Sequence, residues 1–152
     1  MNVNEQQLNE LVAKQAIQEV ELRFAQSLDT KNWELASSLF TDEVVADFSA
    51  YGIPAKTMKK EELIGLFQYS FRNEKLITEH LYTNFLIEVN GKKATCHFNF
   101  IGNHYVKELE SGEEFYLYAQ YSDKLEQTED GWKISERTLT IFYTKGNATM
   151  LS

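Results

Sequence analysis

Two residues, Asn90-Gly91, separate the runs LITEHLYTNFLIEV and KKATCHFNFIGNHYVK, and no other feature of the chain constrains its fold as strongly. Asn-Gly is the pair favoured in two-residue type I′ turns, so the flanking runs are expected to form two long antiparallel strands. Further turn signals follow in ELESGEE and TEDG. EFYLYAQYSDKLEQ lies between them and WKISERTLTIFYT lies after. From Asn73 onward the chain therefore reads as an antiparallel meander.

Ahead of the meander the periodicity is helical. From about Glu5 to Leu28, the residues Ala13, Ile17, Val20, Phe24 and Leu28 recur at spacings of four, three, four and four. Leu8, Leu11, Val12 and Leu22 form a second apolar side. TKNWELASSLF reads as a short helix, EVVADFS as a strand and YGIPAK as a loop. TMKKEELIGLFQYSFR reads as a third helix with Thr57 as its N-cap. Helices first and a meander second predict an α+β fold in which a curved sheet wraps around the helices.

At 152 residues the chain is long enough to bury a sizeable core, and residues 1–152 are expected to form a single domain. Ten Phe, eight Tyr and two Trp suffice to pack a core and also to line a cavity. A formal charge of −8 with no basic cluster argues against nucleic-acid binding. A lone Cys96 excludes an internal disulfide and a multi-cysteine zinc site. The opening MNVNEQQLNELVAKQ has no apolar signal core, and no apolar run of about 18 residues is present to span a membrane. A cytoplasmic protein without membrane association is expected.

Asp29 is the unusual residue, because it follows a helical pattern ending at Leu28. A carboxylate there opposes the helix dipole at a cost of about 0.3–1 kcal/mol when exposed. Either Asp29 or Thr30 caps the helix bearing Trp33, or Asp29 belongs to a site with His80 of TEHLYTN. Histidine exchanges protons near neutral pH, and a carboxylate on one ring nitrogen fixes the tautomer and stabilises the imidazolium formed after proton abstraction.

The helical start, SLDTKNWELASSLFTDEVV, EHLYTN, NGKKAT and YSDKLEQTEDGWKISER, in that order and with a closing strand, resemble the SnoaL-like branch of the nuclear transport factor 2-like superfamily. The resemblance covers nearly the whole chain and implies a cone-shaped α+β barrel enclosing an apolar pocket. Within the superfamily, scytalone dehydratase and hexachlorocyclohexane dehydrochlorinase pair a histidine base with an aspartate, and Asp29 and His80 match those positions. The chain has Leu28 where the former carries a tyrosine, and Phe24 where the latter carries a lysine. What the resemblance carries over is the dyad alone.

Strict alternation puts Leu81, Thr83, Phe85, Ile87 and Val89 on one, mostly apolar, strand face, and His80, Tyr82, Asn84, Leu86 and Glu88 on the other. For His80 to face the interior, a β-bulge near Tyr82 must reset the parity, or both faces must be covered. On the next strand Ala94, Cys96, Phe98, Phe100, Gly102 and His104 align inward, with His97 outward. Phe24, Tyr82, Asn84, Phe98, Phe100, His104 and Tyr118 are the candidate ligand contacts. Arg137 either holds an anionic substrate group or forms a surface ion pair, and Trp132 is expected to anchor the core.

The leading expectation is a lyase or isomerase that needs no cofactor and acts on a small, mostly apolar, cyclic molecule. His80 would remove a proton and Asp29 would orient the imidazolium. The alternatives are a binding module for an apolar ligand and an accessory interaction subunit. All three come with a homodimer through the sheet. The three histidines lack metal-ligand spacing, and no Gly-rich phosphate loop or G-x-S-x-G turn is present.

Overall fold

The computed structural model describes residues 4–107 and 113–151. Helix α1 (Glu5–Asp29) starts on a capping box, in which the Gln7 amide donates to Asn4 Oδ1 at 2.8 Å and the Asn4 amide donates to Gln7 Oε1 at 3.2 Å. Its first half is exposed or partly so. From Ile17 onward it buries Ile17, Glu21, Phe24, Ala25, Ser27 and Leu28. Helix α2 (Trp33–Ser38) is capped by Asn32, whose Oδ1 accepts from the Leu35 amide at 3.1 Å. Neither Asp29 nor Thr30 caps it, so the capping account of Asp29 is corrected.

Strand β1 (Phe40–Asp47), a 3-10 turn at Ser49–Tyr51, strand β2 (Lys56–Lys59) and helix α3 (Lys60–Ser70) follow. Thr57 is not the N-cap of α3. It lies in β2, paired with Val45 of β1, and the α3 N-cap position is Lys59, which makes no side-chain cap. The meander is β3 (Leu76–Asn90), β4 (Lys93–Val106), β5 (Glu113–Thr128) and β6 (Gly131–Gly146). The expected ELESGEE turn falls largely on residues 108–112, outside the described residues. Asn90 pairs with Lys93, so the two loop residues of the first hairpin are Gly91-Lys92 rather than Asn90-Gly91. Gly91 alone has a positive φ there, 62°, as the first loop position of a type II′ turn requires.

The sheet order is β2-β1-β6-β5-β4-β3, antiparallel throughout except where β1 runs parallel to β6. The fold is α+β, with a curved, open, cone-like sheet and the helices packed on its inner face. Between the two layers lie Phe24, Phe40, Leu63, Phe98, Leu125 and Ile134, all 1% exposed or less. Trp132, 8% exposed, anchors the end of this core. None of the described helices is long and apolar enough to cross a membrane.

The parity problem of β3 is solved by one extra residue. The β3–β4 register shifts between Thr83 and Leu86, and Asn84 adopts φ 59°. A short polar side chain that can hydrogen-bond locally tolerates this left-handed conformation, here accepting from Thr83 Oγ1 at 3.1 Å. Before the bulge Leu76, Thr78, His80 and Tyr82 point inward. After it Phe85, Ile87 and Val89 do, each packed on the core.

Candidate active site

Asp29 is the last residue of α1 and faces β3. Its Oδ1 accepts from His80 Nδ1 at 2.6 Å and from Thr78 Oγ1 at 3.0 Å, and its Oδ2 accepts from the His80 backbone amide at 3.0 Å. Three donors from β3 offset the unfavourable helix dipole, which accounts for a carboxylate at this helix end. With the Nδ1 proton committed to Asp29, the His80 Nε2 keeps its lone pair. The His80 side chain is 5% exposed and lines a cavity of about 410 Å³.

The cavity lies between the inner sheet face and α3. Its wall is mainly apolar, including Leu28, Phe48, Leu63, Phe71, Phe100 and Leu117, with Tyr51 and Ile53 from the loop after β1. Phe71 packs edge-on to His80 at 5.9 Å between ring centroids. Polar atoms come from His80, His104, Tyr51, Tyr121 and Ser70, and among the described residues no carboxylate, lysine or arginine lines it.

His104 stands 5.8 Å from His80 between ring centroids. Its Nδ1 is 3.0 Å from the Gly102 carbonyl and 3.3 Å from that of Phe115. Carbonyl oxygens only accept, so Nδ1 carries the proton and Nε2 is an acceptor. Burial, reinforced by the neighbouring His80, pushes the His104 pKa down to about 4, so the ring is neutral at pH 7. Both rings crowd over Gly102, where a Cβ would come within 3.2 Å of His104 Cε1 and 3.5 Å of His80 Nε2.

Of the residues singled out from sequence, His80, Phe100 and His104 line this cavity, and Asp29 stands behind it, bonded to His80. The other five do not line it. Phe24 is sealed in the core, with its ring edge-on to Phe40 and Phe67. Phe98 is equally sealed, stacked near Tyr82 and Phe85. The Tyr82 hydroxyl is buried without a partner among the described residues. Asn84 is the exposed bulge residue, and Tyr118 stacks on Tyr143 at 4.3 Å, away from the cavity. His97 is exposed, as expected, with Nδ1 2.9 Å from Ser122 Oγ.

Arg137 is neither an anion holder at the cavity nor a surface ion pair. It is fully buried, with Nε 3.0 Å from Asp123 Oδ2 and Nη2 2.6 Å from Glu21 Oε2, and both acids are themselves fully buried. Its guanidinium lies 4.1 Å from the Tyr121 ring centroid and 4.4 Å from that of Phe24. Burial and the Asp123 charge push the Glu21 pKa well above the ordinary carboxylate value, which favours the protonated acid beside the Asp123–Arg137 ion pair. Sequence reasoning missed Thr78, Tyr121 and the two acids, Glu21 and Asp123, that hold Arg137. Thr78 and Asp123 were detectable, since each shares strand parity with an inward residue, His80 and Tyr121 respectively.

The model of the SnoaL-like domain matches residues 9–138. No curated protein matches the chain significantly. Similar solved structures include the Kfla4162 protein of Kribbella flavida, 24% identical over 92% of this chain and 97% of that one, with a TM-score of 0.84. A candidate scytalone dehydratase of Novosphingobium aromaticivorans is 22% identical over 90% and 89%, with a TM-score of 0.77. Hexachlorocyclohexane dehydrochlorinase LinA-type3 of Novosphingobium barchaimii is 20% identical over 91% and 92%, with a TM-score of 0.75. At these identities the likeness concerns the fold, whereas the family model spans most of the sequence. The chain belongs to the SnoaL-like domain family.

Proposed function

We propose that the protein is a lyase or isomerase that needs no cofactor, in which His80 Nε2 removes a proton from a small, mostly apolar molecule held in the cavity. Asp29 orients the ring and stabilises the imidazolium. The observation that carries this is the 2.6 Å Asp29–His80 contact at the wall of an otherwise apolar cavity. Neutral His104 adds an acceptor beside the reacting position, suited to a ligand hydroxyl. The dehydratase and dehydrochlorinase names among the similar structures support elimination chemistry. A homodimer belongs to the proposal. Ile77, Leu81, Leu86, Phe142 and Tyr143 are exposed, and light scattering at micromolar concentration is expected to return a dimer.

The test is carbon-bound deuterium uptake in D₂O by cyclic ketones and halogenated cyclohexanes, followed by mass spectrometry. The wild type is expected to catalyse uptake, and His80→Gln and Asp29→Asn to slow it by roughly 100-fold or more. Uptake at the wild-type rate in both variants would refute the dyad. Binding without uptake in any of the proteins would favour the binding-module alternative.

A further inference from the structure

The cavity does not end at a polar rim. Most of its lining residues are buried, among them Leu28, Leu63, Phe71, Phe100 and His104, each 7% exposed or less. Five others line it and are also open to solvent: Tyr51, Ile53, Leu66, Ser70 and Ala148. These five mark the mouth. Tyr51, Ile53 and Leu66 keep 53%, 38% and 43% of their surface in water. Ser70 spends its hydroxyl on the Leu66 carbonyl at 3.0 Å, and among the described residues no charged side chain lines the cavity.

Both sides of the mouth are held in place. Tyr51 and Ile53 flank Gly52, whose φ of 77° turns the chain after the Ser49–Tyr51 turn. The Gly52 amide donates to the Ser49 carbonyl at 2.8 Å, and the Ser49 amide donates to Asp47 Oδ1 at 3.0 Å. Across from this loop, Leu63, Leu66, Phe67 and Ser70 form one stripe of α3, and all four line the cavity. The stripe starts at a fully buried residue, Leu63, and reaches the surface at Leu66. An apolar path therefore continues from the two histidines to the outside. Apolar side chains grouped in this way at a cavity edge mark a ligand-binding groove, because covering them removes their surface from water.

We infer that the cavity takes a ligand that outreaches it: a neutral head beside His80 and His104, and a hydrocarbon tail that leaves through the mouth over Tyr51, Ile53 and Leu66. The head is neutral because, among the described residues, the lining offers no cation to a carboxylate or phosphate and no anion to an amine. The tail is hydrocarbon because only apolar surface gains by covering these three side chains. A polar tail would give up its water there without finding hydrogen-bond partners in return. Binding of such a tail does not depend on whether the bound molecule reacts.

The probes are 4-alkylphenols from ethyl to octyl, studied by titration calorimetry with the protein as titrant so that each phenol stays dissolved. In the wild type the affinity is expected to rise through the whole series, by about 2- to 4-fold per methylene, the upper figure being complete transfer out of water. The double variant Ile53→Ser/Leu66→Ser is expected to bind ethylphenol as the wild type does and to lose about 10-fold on octylphenol, with melting temperature unchanged. Asp29→Asn is expected to follow the wild type along the series, which separates the tail from the dyad. A wild-type affinity that stops rising at short chains overturns the proposal, because the mouth is then closed by the chain's own end or by a second copy. Equal gains in wild type and double variant overturn it as well, since the tail then lies elsewhere. Failure of every phenol to bind overturns the neutral head.

Discussion

Glu21→Gln is the substitution that most directly tests the electrostatics of the core. Glu21 is fully buried, and its carboxyl accepts from Arg137 at 2.6 Å. Burial first, and the Asp123 charge second, hold it protonated well above the ordinary value of 4.5. The folded protein therefore binds one more proton than the unfolded chain at every pH between 4.5 and the native value. Stability contributed by this group is complete below 4.5 and falls as pH rises, by up to about 1.4 kcal/mol per pH unit. Glutamine is isosteric with the protonated acid. Its oxygen accepts from Arg137 and its amide donates to Asp123, with nothing to ionise. Urea unfolding at pH 5, 6, 7 and 8 reads the difference between the two proteins, in which all other titrating groups cancel. The variant is expected within about 1 kcal/mol of wild type at pH 5, and to gain on it at each higher pH, by at most about 1.4 kcal/mol per unit. A pH-independent difference, or a variant that loses ground as pH rises, would show that Glu21 is ionised in the fold. Arg137→Met provides the contrast, since it strands the Asp123 charge and should cost about 3–5 kcal/mol.

Two further outcomes follow from the site and the bulge. His104 should titrate near pH 4 by NMR; because the folded ring stays neutral while the unfolded one protonates below 6.5, stability is present above 6.5 and lost as pH falls toward 4. His104→Gln should flatten that acid limb, and an unchanged limb would count against the buried neutral ring. Asn84 at φ 59° should accept glycine with little loss, while Asn84→Val should cost about 1–2 kcal/mol by thermal or urea unfolding. Equal stability of the two variants would mean that the bulge does not depend on this residue.

The order of elements was legible because each signal was local and redundant. The apolar spacing of α1 needed no partner to be read, and neither did the turn residues between the strands. The Asp29–His80 pair was legible only through the family pattern, since contact across two layers leaves no local trace. What alternation could not reveal came from single extra residues. Counting by twos from Leu81 turns His80 outward, and the bulge at Asn84 reverses this. Counting from Trp132 and Ile134 puts Glu136 inside, but the register shift opposite Lys124 and Leu125 seats Arg137 there instead. Phe24 and Phe98 were chosen as ligand contacts because an inward aromatic on a cone-shaped fold suits cavity and core equally. Their neighbours decided the matter: Phe40 and Phe67 for one, Tyr82 and Phe85 for the other.

The two halves of the dyad belong to different layers, one ending a helix and the other riding on the sheet. Their 2.6 Å separation is thus a gauge of interlayer thickness, set by the packing of Ile17 and Phe24 beneath α1 rather than by any residue of the cavity. A core substitution that lifts the helix by half an ångström would detune the base while leaving every cavity side chain in place. In a lineage that changes substrates by swapping wall residues, the hidden layer would then be the slower clock, and reactivity could drift independently of specificity.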